Sequence, residues 1–261
     1  MSSKRRSPRH IFTASGYHLL AVLVSLLCLL PLLWMLAASL RQTGTPLPRT
    51  LDILPWPPSW GNYVRIFHIV PLGRYLLNSL FVVALAVPLT LLTASLAGFG
   101  MSQLPRKART RLLVLSILLQ MVPVTALWLT RFLLFSWIGL TNSHFALIAP
   151  ALMGASPLFV LLFYWAFRRV PLEQYESARL DGATPLTAWR LVGLPQVRPA
   201  LLAVALLAFL FFWNDFINPL LYLKSTRLYT LPVGLMQLQE LDKTTWPLLM
   251  AASALVTLPP V

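Results

Sequence analysis

Three stretches of this chain, residues 19–40, 112–130 and 145–167, contain no aspartate, glutamate, lysine or arginine. Each is long enough to cross a bilayer as a helix, which takes about 17 to 25 residues. Backbone groups in hydrocarbon have no water to bond, so such stretches must satisfy themselves as helices. Composition agrees with that constraint: 57% of the 261 residues are hydrophobic and 11% are charged, where soluble domains run at roughly 45–50% and 25%.

Six apolar runs qualify as spans: residues 19–40, 76–101, 112–130, 145–167, 200–222 and 246–261. The expected fold is therefore an all-α membrane protein, with residues 1–18 as a tail and 19–261 as one transmembrane domain. Six crossings put both termini on one side. The loops on that side carry 13 Lys and Arg against 8 on the other, and the richer side is expected to be cytoplasmic. Arg106, Lys107, Arg109 and Arg111 crowd one short loop there. The last run has 16 residues, about 24 Å of helix against a hydrocarbon core of about 30 Å, so the sixth helix reads as truncated. The first outer loop, 41–74, carries Pro46, Pro48, Pro55, Pro57 and Pro58 with Trp56 and Trp60, and is expected to lie extended at the interface.

Lys4, Arg5, Arg6 and Arg9 ahead of an apolar run resemble a signal peptide. The run is 22 residues long, however, beyond the roughly 7 to 15 of a signal sequence, which favours an uncleaved first helix. Cys28 lies inside that helix and is expected only to pack. His10, His18, His68 and His144 have no ligand-like spacing, so no metal is expected. A net charge of +14 would suggest nucleic acid as partner for a soluble chain. Here the basic residues sit in loops between spans and orient helices instead. Pro31, Pro88, Pro123, Pro150 and Pro157 lie in or beside the spans, where they can kink a gated bundle or simply shape it.

The loop 168–199 is the most informative segment. Pro171 suits a helix start, Glu173 and Glu176 lie where the helix dipole favours acids, and Gly182 supplies a stop. Thr184 can cap a second helix with Pro185 in its first position, running toward Val192 until Pro195 ends it. Tyr175, Ala178, Leu180, Leu186, Trp189 and Leu191 are more apolar surface than a solvated loop needs, so something is expected to cover them.

Within this loop stand Glu176-Ser177-Ala178, then Gly182, Val192 and Leu194-Pro195, which resembles the E-A-A, three residues, G, nine residues, I, one residue, L-P signature of the permeases of binding-protein-dependent ABC importers. Ser177 replaces the second alanine and Val192 the isoleucine; every spacing is kept. The resemblance implies a six-helix type I importer permease whose loop is a coupling helix docked on a cytoplasmic ATPase, with Glu176, Ser177, Ala178, Asp181, Gly182, Ala183, Leu194 and Pro195 at or near the joint. Gly182→Asp is expected to uncouple transport while leaving the protein membrane-inserted, since a left-handed position tolerates non-glycine side chains poorly.

The likeness extends to Asn78-Ser79-Leu80, Gln120 to Pro123, Trp213 to Phe216, Tyr229 to Leu235, and Trp246 with Met250 to Ala252, and is closest to the second permease of carbohydrate systems of the maltose and glycerol-3-phosphate type. The implied partners are a second, unlike permease, two ATPase subunits and an external solute-binding protein, in the cytoplasmic membrane with the N-terminus inside. ATP and Mg would belong to the ATPase, and no cofactor to this chain. Trp213, Asn214, Asp215 and Phe216 are candidate pathway residues, since an intramembrane carboxylate is costly; Asp215 can equally be hydrated or paired at the outer interface. Tyr229, Pro232, Gly234 and Gln237 are candidate contacts for the binding protein, or parts of an ordinary connecting loop.

Neither a P-loop motif nor H-E-x-x-H nor G-x-S-x-G is present, so the sequence offers no catalytic constellation. An ion-coupled transporter would want acids in several spans, and a passive scaffold would leave the glycine-turned loop unexplained.

Overall fold

The computed structural model describes residues 8–44, 55–241 and 243–261. Lys4, Arg5 and Arg6 of the basic tail and Pro46, Pro48 and Arg49 of the first loop lie outside the described residues. The helices in order are α1 (Pro8–Ser39), α2 (Asn62–Ile69), α3 (Leu72–Gln103), α4 (Arg106–Met121), α5 (Trp128–Trp137), α6 (Phe145–Ile148) and α7 (Pro157–Arg168). After them come α8 (Leu172–Leu180), α9 (Pro185–Thr187), α10 (Leu194–Gln196), α11 (Arg198–Trp213), α12 (Ile217–Tyr222), α13 (Leu231–Gln239) and α14 (Trp246–Thr257). They form two compact units, one of residues up to Val70 with Leu235–Pro259 and Val261, the other of Pro71–Gly234 with Pro260.

In the first unit α1 starts at Pro8, so part of the expected tail is continuous with the first span. Its apolar side chains from Leu19 to Leu36 remain largely exposed, Leu27 by 70%. A helix apolar on every face and uncovered by its own chain needs a hydrocarbon solvent. Toward its end α1 packs along α14, where Trp34 and Trp246 stack with ring centroids 6.4 Å apart. The first loop is less extended than its prolines suggest, because it folds the two turns of α2. Buried Asn62 explains that turn: its Nδ2 donates to the carbonyls of Ser39 at 2.8 Å and Arg41 at 2.7 Å, groups that the end of α1 leaves without helical partners.

The second unit is built on α3, whose 32 residues span about 48 Å and pack against both α7 and α11. Gly98 sets the α3–α7 distance. A Cβ there would stand 2.7 Å from Phe163 Cβ and 2.8 Å from both Tyr164 N and Val160 O, so only glycine lets the two backbones approach this closely. Thr93 Oγ1 adds a 2.6 Å bond to the carbonyl of Ala151.

Two expected spans, the third and the fifth, prove to be broken rods, while the fourth stays one run, Phe145–Arg168, with a local interruption. The third divides at Val122-Pro123, where α4 and the following segment to the end of α5 differ in direction by 87°; Pro123 lacks an N–H and holds Val122 extended. The fourth is interrupted at Gly154, with φ of +78°, before Ser156 Oγ caps α7 by accepting from Leu158 N at 3.3 Å. The fifth breaks at residues 214–216, between α11 and α12. The sixth, α14, is 12 residues long.

Candidate functional site

The loop between α7 and α11 forms as the residue pattern predicts at its start. α8 begins after Pro171, ends at Leu180, and is followed by Gly182 in the left-handed region at φ +82°. Gly182 and Ala183 return their N–H groups to the carbonyls of Arg179 at 3.0 Å and Ala178 at 2.9 Å, closing the helix end. Thr184 Oγ1 accepts from Thr187 N at 3.2 Å as the cap of α9. From there the structure departs from expectation. Residues Ala188–Gly193 wind as a π-helix, and the run passes through Pro195 to Gln196 instead of stopping at it. In a π turn each N–H reaches one residue further back; Leu194 N bonds Trp189 O. The extra residue per turn swings Trp189 inward while Arg190 and Leu191 stay outside.

This winding divides the loop's apolar residues into two sets. Tyr175 is 2% exposed and Trp189 8%, and both belong to a core with Phe99 of α3, Phe163 and Phe167 of α7, and Val204 and Ala208 of α11. The Tyr175 ring meets Phe99 edge-on at 5.6 Å, and Phe99 meets Phe167 likewise at 5.4 Å. Gly193 permits the approach, because a Cβ there would lie 3.0 Å from Phe167 Cε1 and 3.3 Å from the Tyr175 hydroxyl. The expectation that something covers the loop's apolar residues is met for Tyr175 and Trp189 by the chain's own helices. Leu180, 90% exposed, Leu186 and Leu191 form the other set and point away from the bundle. Glu176, Ser177, Asp181, Gly182 and Pro195 are exposed with them, while Ala178, Ala183 and Leu194 are half-buried. Gln196 Nε2 donates to Gln174 Oε1, tying the second half of the loop to α8, and Arg179 Nη2 reaches Gln103 Oε1 at the end of α3 at 3.3 Å. The run Pro185–Gln196 lies at 87° to α11, so it crosses the direction of the span it leads into.

At the break in the fifth span the four candidate residues separate. Trp213 is 1% exposed and stacked on Phe209 at 5.5 Å. Asn214 is exposed, its Nδ2 donating back to Leu210 O at 3.0 Å. The Asp215 carboxylate accepts from Asn218 N at 3.2 Å and from Asn218 Nδ2 at 2.9 Å. It therefore caps α12 locally, as a carboxylate near a helix N-terminus does. Phe216 is half-buried.

Beyond α12, Gly234 is buried, with a would-be Cβ 2.5 Å from Tyr75 Cδ2, so it packs closely against that ring. Tyr229, tilted against Tyr75 at 6.1 Å, Pro232 and Gln237 are each partly exposed. Sequence reasoning missed Asn142 and His144. The only signal was the polar run Thr141 to His144 between two apolar segments, together with the tolerance of asparagine for positive φ, here +58°.

Helices long and apolar enough to cross a membrane, two of them bent sharply at a break, and one loop rooted among them mark a multi-pass membrane protein. Its fold overlays a bacterial ABC transporter involved in import of the acidic polysaccharide alginate with a TM-score of 0.78, over 98% of this chain and 95% of that one, at 19% identity; the architecture is that of a six-helix type I importer permease. A second alginate ABC transporter structure, solved with an alginate pentasaccharide-bound periplasmic protein, matches with a TM-score of 0.65 at 14% identity over 97% of this chain and 92% of that one. Residues 86–259 match the model of the binding-protein-dependent transport system inner membrane component family, and the chain belongs to that family. Among its relatives, the sulfoquinovosyl glycerol transport permease of Agrobacterium fabrum is 30% identical over 97% of this chain and 90% of its own length. The arabinooligosaccharides transport permease of Bacillus subtilis is 30% identical over 98% and 91%. The trehalose/maltose transport permease of Thermococcus litoralis is 30% identical over 92% and 86%. These are transport subunits and not enzymes.

Proposed function

We propose that this chain is one of two unlike permease subunits of an ATP-driven carbohydrate importer, with the 169–197 loop on the cytoplasmic side as the coupling helix. The observation that carries the reading is the two-sided loop: Leu180, Leu186 and Leu191 stand exposed around the Gly182 turn, while Tyr175 and Trp189 root the same loop among α3, α7 and α11. An ATPase cleft that covers the exposed set would, on closing, displace a lever whose other arm is packed into three membrane helices. The chain has no phosphate-binding loop of its own, so the energy comes from that partner.

Carbohydrate as substrate rests on the names of the three relatives given above, each of which names a sugar or a sugar derivative. Asn214 and Phe216, at the break of the fifth span, are the residues offered to the pathway; Trp213 backs them and Asp215 shapes the turn. The external solute-binding protein docks on the opposite side, on the segment that includes Tyr229 and Pro232.

The test is co-purification from membranes with the partner permease and ATPase. Replacing Leu180 and Leu186 together by aspartate leaves the rooted residues intact and is expected to abolish ATPase recovery. Gly182→Val, which forces a β-branched residue into the left-handed region, is expected to weaken it. Equal recovery with the native and double-aspartate chains would refute the assignment.

A further inference from the structure

The segment from Leu223 to Thr230 links α12 to Leu231 at the start of α13; its ends are buried and its middle is exposed, and its backbone is held by side chains from elsewhere in the second unit. Asn142, in the left-handed conformation, bonds its own N–H to Tyr222 O at 2.7 Å and accepts with Oδ1 from Lys224 N at 3.0 Å and Ser225 N at 2.9 Å. Asn78 Nδ2 donates to Arg227 O at 2.9 Å and to Tyr229 O at 2.8 Å. Ser79 Oγ accepts from Leu231 N at 2.9 Å. His144 Nε2 lies 2.8 Å from Leu228 O, and since a carbonyl only accepts, that nitrogen carries the hydrogen.

Four side chains therefore take up six backbone groups of one short loop. Backbone groups of an exposed loop ordinarily bond water and need no such partners. The result is a segment whose conformational entropy is surrendered on folding, before any partner arrives, which is the condition for preorganised binding. The fixed backbone holds Lys224, Thr226 and Arg227 exposed. Exposed Arg74 is one helical turn before Asn78, the residue bonded to Arg227 O, so it belongs to the same surface. Among the described residues none of these three cations has an ion-pair partner.

We propose that Asn78, Ser79, Asn142 and His144 are positioning residues that preset residues 223–231 as a rigid cationic platform, and that the platform receives an acidic face of the external solute-binding protein. The proposal rests on the functional reading above, and deepens it by giving the docking surface its residues and the partner its charge. Electrostatic complementarity of this kind acts on encounter and weakens with salt.

The test uses the whole transporter in lipid nanodiscs, with the system's own solute-binding protein as titrant and hydrogen exchange as a second readout. Asn142→Gly keeps positive φ accessible and removes the acceptor; the Lys224 and Ser225 amides, which each lose one bond, should then exchange about fivefold faster. Asn142→Asp keeps the acceptor and should restore their protection. In the ATPase titration Asn142→Gly should raise the half-saturating binding-protein concentration at an unchanged maximal rate. Arg74→Gln with Lys224→Gln and Arg227→Gln should do the same with native exchange, and should flatten the dependence on salt. Native exchange in Asn142→Gly, or a half-saturation unmoved by the triple change, overturns the proposal. If the binding protein fails to stimulate even the native transporter, the functional reading fails and the docking role with it, while the exchange data still report on the staples.

Discussion

Tyr175 offers the sharpest test of the idea that the loop is a lever rooted in the bundle. Its ring is 2% exposed and packs edge-on against Phe99, next to Phe167 and Gly193. Tyr175→Ala removes that ring from a site with rigid aromatic walls; for buried aromatic-to-alanine changes the loss is about 3 to 5 kcal/mol. At about 1.4 kcal/mol per decade, detached conformations of the loop should become about two to three and a half orders of magnitude more populated. Arg179 and Arg190 are exposed on the loop, so tryptic cleavage there in nanodisc-held protein reports the detached population. The hydroxyl gives a built-in control: among the described residues it makes no hydrogen bond, so Tyr175→Phe should leave cleavage unchanged or slow it slightly. Burial also pushes the Tyr175 phenol above its ordinary value near 10. The rooted loop thus holds its proton to higher pH than the detached one; its stability is unaffected below about pH 10 and falls as the pH rises further. Tyr175→Phe should abolish that alkaline loosening. Native cleavage rates in Tyr175→Ala would show that the ring does not anchor the loop, and would refute the reasoning.

Other outcomes follow from single contacts. Gly98→Ala should destabilise the second unit by about 1 to 3 kcal/mol, since two of the three atoms a Cβ would strike are backbone; Gly100→Ala, with open space around it, should fall within about 0.5 kcal/mol of native or gain slightly, both read by thermal unfolding in detergent. Gly234→Ala should cost a similar 1 to 3 kcal/mol because the Tyr75 ring it meets is 1% exposed and has nowhere to move. Asp215→Ala should lose about 0.5 to 2 kcal/mol as the cap of α12, with most of it recovered in Asp215→Asn, which keeps an acceptor for Asn218 N. If uptake falls in Asp215→Asn while stability holds, the carboxylate serves the pathway as well.

The sequence by itself determined the class of environment and the loop that matters. Uncharged stretches of membrane length exclude a soluble fold for reasons of backbone hydrogen bonding alone, and the local chemistry of Pro171, Gly182, Thr184 and Pro185 is enough to write a helix, a left-handed turn and a second helix start. These are short-range effects, set by φ preferences and capping within a few residues. Tertiary structure decided what lies between distant segments. Nothing local distinguishes Tyr175 and Trp189, which face inward, from Leu180 and Leu191, which face outward; the π turn and the approach permitted by Gly193 make that division. The bend at Pro123 was readable as a possibility, its 87° only as a fact of the fold. Gly234 and Trp213 looked like surface candidates because a glycine in a loop and an aromatic beside a carboxylate look the same whether or not Tyr75 or Phe209 stands over them. The staples of Asn78, Ser79, Asn142 and His144 join residues up to 152 positions apart, and hydrogen bonds of that separation exist only once the chain has packed.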